Sequence, residues 1–261
     1  MKQTLEALAR ALADAWRTGK CIALPPMNEG PASRADAFAV QDRMAELIGD
    51  SCAGWKVAAA VRKVQIREGL DGPIVGRLMA SRVFHDPAQV PAALFDGYKI
   101  ESEFAFRFRD AIPARDRAWT RDELSPLLVF HPGLEVAGSR FARDAGSRKL
   151  TPYEMIADNG GGGPYVVGEG MDDWQAVDFD HMPIDARIDG GEPIHTNTGE
   201  FRRNPVDILV ETVNGLSARG IGLAAGDLIT TGTLTLPTAL HRGQSYVARF
   251  GDLMTLSVTM R

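Results

Sequence analysis

The chain begins with helical spacing. Leu5, Leu8, Ala9, Leu12, Ala15 and Trp16 recur every three or four residues, which predicts an amphipathic helix over residues 2–18 that stops at Gly19. Pro25, Pro26, Gly30 and Pro31 mark a loop, and a second helix is expected from Arg34 to Ile48. After Gly49 the period shortens to two. Short apolar runs separated by Gly and Pro predict strands over 54–60, 73–78, 98–108, 133–138, 164–168, 182–189, 227–231, 244–250 and 254–260. Asp189-Gly190-Gly191 reads as a hairpin turn, and helices are expected near 121–129, 151–157 and 205–219. Asn204-Pro205 supplies a cap and a first-turn proline for the last helix. A helical N-terminus followed by a strand-rich body predicts an α+β fold, divided as an N-terminal helical segment (1–50) and a strand-rich portion (51–261).

The strand over 98–108 has two different faces. Ile100, Phe104, Phe106 and Phe108 fall on one, and Lys99, Glu101, Glu103 and Arg107 on the other. Such alternation ordinarily describes a half-buried strand with a solvated outer side. A second reading stays open. Glu101 and Glu103 project together, and Glu135 lies between Leu134 and Val136, where an acid is either on an exposed face or buried with a partner. If the three converge, their mutual repulsion calls for a cation, and hard cations such as Mg²⁺ and Mn²⁺ take oxygen ligands.

Composition narrows the partners. The 261 residues carry a net charge of −5, which excludes bulk electrostatic binding of nucleic acid. No apolar run reaches the ~18 residues of a membrane span. Cys21 and Cys52 form no metal spacing or C-x-x-C pair, and a reducing cytoplasmic setting is the default expectation.

Three further features could carry chemistry. Lys56 stands in the apolar run Gly54-Trp55-Lys56-Val57-Ala58, where burial would lower its pKa into acid–base range; a strand lysine reaching to solvent is the plain alternative. Asp158-Asn159 followed by Gly160–Gly163 looks like a helix end turning into a loop able to bring backbone N–H groups to an anion. Thr231-Gly232-Thr233 would place hydroxyls and backbone donors at a strand tip. No H-e-x-x-H pair, nucleotide loop or G-x-S-x-G elbow is present.

Taken in order, these pieces resemble the fumarylacetoacetate hydrolase superfamily, in its 2-oxopent-4-enoate hydratase and 4-oxalocrotonate decarboxylase branch. The resemblance spans about residues 36–261. It is carried by Gly54-Trp55-Lys56-Val57, by Pro73-Ile74-Val75-Gly76-Arg77-Leu78, and by Glu101-Ser102-Glu103-Phe104-Ala105. Pro132-Gly133-Leu134-Glu135 with Ser139-Arg140, Ala157-Asp158-Asn159, and Gly226-Asp227 with Thr231-Gly232-Thr233 complete it. The resemblance implies a mixed β-rich roll, Mg²⁺ or Mn²⁺ on Glu101, Glu103 and Glu135, and Lys56 as the catalytic group. It implies substrate contacts from Arg77, Asp158, Thr231, Gly232 and Thr233. The implied substrate is a 2-oxo acid met in aromatic catabolism, with hydration of a 2-hydroxy-2,4-dienoate first and decarboxylation or acylpyruvate C–C hydrolysis as alternatives. It also implies a homo-oligomer, able to associate with a related decarboxylase or hydratase, in which one partner need not be catalytic. Two positions depart from the pattern: Ile74 stands where hydratases often carry an acid, and Gly160–Gly163 replace a loop that usually holds Ser or Asn.

Overall fold

The computed structural model describes residues 1–92, 98–142 and 148–261. The two N-terminal helices form where the periodicity places them, α1 over Gln3–Thr18 and α2 over Arg34–Ile48. Gly19 and Gly49 end them in the left-handed conformation, which lets the backbone turn off the helix without a Cβ clash. Ser33 caps α2 by accepting from the Asp36 amide at 3.1 Å.

The strand-rich body follows in the order β1 (Cys52–Ala58), α3 (Arg62–Glu68), β2 (Ile74–Met79), β3 (Val83–His85), β4 (Ala88–Val90), β5 (Lys99–Phe108), α4 (Arg121–Leu124), β6 (Leu128–Ala137) and α5 (Pro152–Ala157). Then come β7 (Tyr165–Val167), β8 (Ile184–Ile188), α6 (Pro205–Ser217), β9 (Leu228–Thr233), β10 (Thr238–Ala239), β11 (Ser245–Phe250) and β12 (Met254–Met260). Among the described residues they build two mixed sheets. The larger runs β2-β1-β9-β5-β6-β7-β3, with β10 added alongside β5; the smaller runs β4-β12-β11-β8. The long antiparallel β5–β6 pair is the spine, in register from Lys99↔Ala137 to Phe108↔Leu128. The architecture is the expected mixed α+β roll.

Three expectations differ. The helix expected near 121–129 stops at Leu124, passes through a 3-10 turn at Ser125–Leu127 and becomes β6 at Leu128. Pro126 lacks the N–H that a longer helix would need, and the residues beyond it are claimed by pairing with β5. Helix α3 and the short strands β3 and β4 carry too little periodic signal to be read. The Asp189-Gly190-Gly191 turn forms, but its returning segment makes no paired strand: it bonds back to β8 through Ile194 N–H to the Ala186 carbonyl and the Thr196 hydroxyl to the Ile184 carbonyl, and β8 pairs with β11.

Opposite faces of β5 meet different surroundings. The even positions enter the main core between the two sheets, where Phe104, Phe106, Phe130, Trp174 and Phe179 pack edge to face at centroid separations of 5.0–5.4 Å. The odd positions turn toward the inner face of the curled sheet. At one end of that face lies a second apolar cluster, in which Leu5, Leu12 and Trp16 of α1 and Val40 and Met44 of α2 pack with Leu70, Ile74, Phe141 and Ile156. A smaller cluster of Leu78, Ala105, Tyr165, Val167 and Leu228 closes the other end. Among the described residues, no helix is long and apolar enough to cross a membrane.

Candidate metal centre

Strand register assembles the centre. Glu101 pairs directly with Glu135, and Glu103 pairs with Gly133, so all three acids share one face of the β5–β6 ribbon. One carboxylate oxygen from each lies within 4.8 Å of the others. The outer-face reading of β5 therefore fails at Glu103. Glu103 and Glu135 are fully buried, and Glu101 alone keeps partial exposure, toward a cavity of about 930 Å³. Glu135 Oε1 meets the Lys56 ammonium, while Glu135 Oε2 and both Glu103 oxygens have no partner in hydrogen-bond geometry. Leaving one such buried acceptor open costs about 1–3 kcal/mol, and more for charged groups. A cluster that leaves several open has a donor set suited to an oxygen-seeking divalent cation.

Lys56 reaches this cluster from β1. Its Nζ lies 3.1 Å from Glu135 Oε1 and donates to the Gly160 carbonyl at 3.0 Å. Burial presses its pKa down, as expected from the sequence. Glu135, then Glu101 and Glu103, press harder in the other direction, and the net shift is upward. Without a cation among the acids, the lysine is held protonated rather than brought into acid–base range. The acids respond in kind. Burial, then the Glu135 charge, raise Glu101 to about 7, against opposing pulls from Lys56, Lys99 and Thr233. Burial, then Glu135 and Glu101, push Glu103 well above the usual carboxylate range. Burial also raises Glu135, with Lys56 opposing.

The remaining expected site residues separate into groups. Arg77 does not join the centre. It pairs with Trp55 across β1–β2 while Lys56 pairs with Gly76, so strand alternation sends Arg77 to the opposite face. There it bonds Asp42 at 2.7 Å and lies over the Trp55 ring. Asp158 borders the cavity, but its carboxylate is occupied: Oδ1 accepts from Arg140 Nη1 at 2.9 Å, and Oδ2 from Ser139 Oγ at 2.8 Å and the Arg140 amide at 3.0 Å. Arg140 also donates to the Asp158 and Gly162 carbonyls and lies over Trp16. This clamp fixes the glycine loop against α1.

That loop works differently from the anion-binding reading. It turns a carbonyl toward the site, onto the Lys56 ammonium, rather than N–H groups. A side chain at Gly160 is disfavoured by its φ of +63° and by tight contacts, since a Cβ would lie 3.0 Å from Ile74 Cγ2 and 3.4 Å from Lys56 Cδ.

Thr231, Gly232 and Thr233 form a bulge in β9. Glu103 pairs with Thr233 and Ala105 with Thr230, which leaves Thr231 and Gly232 opposite Phe104. Gly232 takes a φ of +87°, and the Thr231 hydroxyl closes the bulge onto the Phe104 carbonyl at 3.0 Å. The Thr233 hydroxyl donates to the Thr235 carbonyl at 2.7 Å. None of the three borders the cavity, which leaves Thr233 beside Glu101 as their contribution to the centre.

The sequence reading missed Tyr165. It pairs with Glu135 across β6–β7, is fully buried, and its hydroxyl has no partner. Only the tight spacing to Gly133 could have flagged it, and that spacing exists only once the strands are in register.

Comparisons with known proteins give the chain's family and fold. The model of the fumarylacetoacetate (FAA) hydrolase C-terminal family matches residues 89–261. The chain is 25% identical to a 2-keto-4-pentenoate hydratase of Burkholderia vietnamiensis (strain G4 / LMG 22486) over 260 residues, covering 98% of this chain and 97% of the relative. It is 24% identical to a 4-oxalocrotonate decarboxylase of Pseudomonas putida over 227 residues, covering 85% and 84%. The structure of 4-oxalocrotonate decarboxylase from Pseudomonas putida G7, complexed with magnesium and adipate, superposes over all of this chain and 98% of that one, with a TM-score of 0.86 at 22% identity.

Proposed function

Because the chain belongs to the fumarylacetoacetate hydrolase family, we propose that it is a divalent-metal-dependent lyase of a 2-oxo acid, acting as hydratase of a 2-hydroxy-2,4-dienoate. The observation that carries this reading is the convergence of three carboxylates, in which Glu135 Oε2 and both oxygens of the buried Glu103 lack a partner beside the cavity-facing Glu101. Those three residues would hold Mg²⁺ or Mn²⁺. Such an ion supplies Lewis-acid stabilisation for negative charge developing on the substrate's 2-oxygen.

The chain's own groups account for the rest. Lys56 holds a proton at Nζ, between Glu135 and the Gly160 carbonyl, and is the group placed to move it. Proton transfer by a positioned side chain typically contributes ~10²–10⁴-fold. Ile74 and the Cα surface of Gly160 and Gly161 wall the cavity and exclude water on that side. The cavity's lower wall is apolar, with Leu70, Phe141 and Met155 suited to a hydrocarbon tail.

Decarboxylation is the second reading, and Ile74 is what favours it. A hydrocarbon side chain occupies the position where hydratases often carry an acid, and loss of CO₂ needs fewer proton-handling groups than addition of water. C–C hydrolysis has less support, because no histidine borders the cavity among the described residues.

The test is to supply the purified protein and Mg²⁺ or Mn²⁺ with 2-hydroxypenta-2,4-dienoate and follow the diene absorbance. Metal-dependent loss of signal, reduced ~10²–10⁴-fold by Lys56→Met, is the expected result. No loss with the diene, alongside turnover of 4-oxalocrotonate, would replace the hydratase reading with the decarboxylase.

A further inference from the structure

Tyr165 is buried on the centre's own face with nothing to bond to. Its side chain has no exposed surface, and its hydroxyl has no partner. A hydroxyl left in that state carries a desolvation cost that a phenylalanine would avoid. The surroundings are shaped around it. Gly133 pairs with Glu103 and lies two residues from Glu135 on the same strand face. A Cβ on Gly133 would lie 1.9 Å from the Tyr165 hydroxyl oxygen and 2.3 Å from Cζ. The hydroxyl therefore occupies the side-chain space of residue 133, the gap between the two buried acids. Directly paired strand residues hold their Cβ atoms about 4.5–5.5 Å apart, so the Glu103 carboxylate is within the reach of that hydroxyl.

We infer that Tyr165 is a positioning residue for the metal centre: its hydroxyl donates to the Glu103 or Glu135 carboxylate and sets the rotamer in which that acid ligates. The inference rests on the metal-binding reading of the cluster. A neutral donor suits the task. A phenol, with an ordinary pKa of about 10, keeps its proton at neutral pH. When a cation draws the acids together, each ligating carboxylate keeps a second oxygen, and a buried donor beside it satisfies that lone pair. Such outer partners typically account for 10–100-fold in metal affinity. Gly133 is then explained as well, since any larger residue would push the ring out of the gap.

The experiment is a calorimetric titration of Mn²⁺ into the metal-free full chain and its Tyr165→Phe variant, with thermal unfolding of both metal-free proteins. The expected result is a 10–100-fold weaker Kd for Tyr165→Phe, with a metal-free Tm equal to or above that of the parent. A residue that only fills space would leave Kd unchanged, and that outcome overturns the inference. So does a lowered metal-free Tm accompanying the weaker binding, which would assign the loss to packing. If the parent protein takes up no Mn²⁺, the metal reading itself falls, and the tyrosine assignment falls with it.

Discussion

Two buried acid–base contacts lie near each other and are built to opposite ends. Arg140 meets Asp158 at 2.9 Å, and Lys56 meets Glu135 at 3.1 Å, with side-chain exposure of 3% or less in all four. Both Asp158 oxygens accept hydrogen bonds from Arg140 or Ser139. Around Lys56, three acids share one lysine; its ammonium meets Glu135 Oε1, while Glu135 Oε2 and both Glu103 oxygens lack a hydrogen-bond partner. Burial and charge are common to both clusters; saturation of the lone pairs is what separates them. A saturated cluster holds the loop in place. An unsaturated one is a cost that the fold carries for a ligand.

The comparison can be broken at either cluster. The largest effect is expected from Glu103→Gln, which removes a charge from the open cluster. Mn²⁺ affinity should fall by more than about 100-fold, beyond the range seen for outer partners, and activity should go with it. The metal-free protein should melt no lower than the parent, because a carboxyl whose charged form is disfavoured by burial and by Glu135 and Glu101 is replaced by a neutral amide. Retained Mn²⁺ affinity in a calorimetric titration would remove Glu103 from the ligand set.

Asp158→Ala is the reciprocal change. Stripping one partner from a buried pair leaves the other uncompensated, typically at about 3–5 kcal/mol. Urea unfolding should show a loss of that order with or without metal. A variant of normal stability with only a raised KM would make Asp158 a substrate contact and erase the contrast.

The smallest effect is a pH dependence at Glu101 in the open cluster. Glu101 sits at about 7 in the metal-free fold, against an ordinary carboxylate value of 4.5. The folded state therefore binds protons that the unfolded chain releases, and metal-free stability should fall as pH rises from about 4.5 through 7. The same proton competes with a cation, so Mn²⁺ affinity should rise over that interval. Tm measured across pH with and without Mn²⁺ should give slopes of opposite sign; parallel slopes would detach the acids from the metal.

Much of this was legible in the chain. The alternation along 98–108 placed Glu101 and Glu103 together, and the motif order placed Glu135 and Lys56 with them. What stayed hidden depends on strand register. Arg77 follows Gly76 in the sequence, and its exclusion from the centre follows only from the pairing of Lys56 with Gly76. The Thr231-Gly232-Thr233 tip was visible, but whether its hydroxyls face a ligand or close a bulge depends on which residue of β5 lies opposite. Tyr165 gave no local signal, since its role comes from a glycine 32 residues earlier that becomes its neighbour across two strands. The helix expected through 121–129 reflects the same limit, because pairing with β5 overrides local preference after Pro126.

The placement of β1 also bears on how the protein is made. Lys56 lies early in the chain, yet β1 joins the large sheet beside β9, through the parallel pairs Gly54↔Leu228 and Trp55↔Ile229. The β1–β2 hairpin has no strand partner linking it to the β5–β6 acids until residues 228–233 exist. During synthesis the acids and the lysine thus stay on separate pieces for most of the chain's length, since long-range pairings close last. The lysine and the acids can be joined through the sheet only once β9 has been made, and a chain cut short before it holds both on strands that nothing yet links.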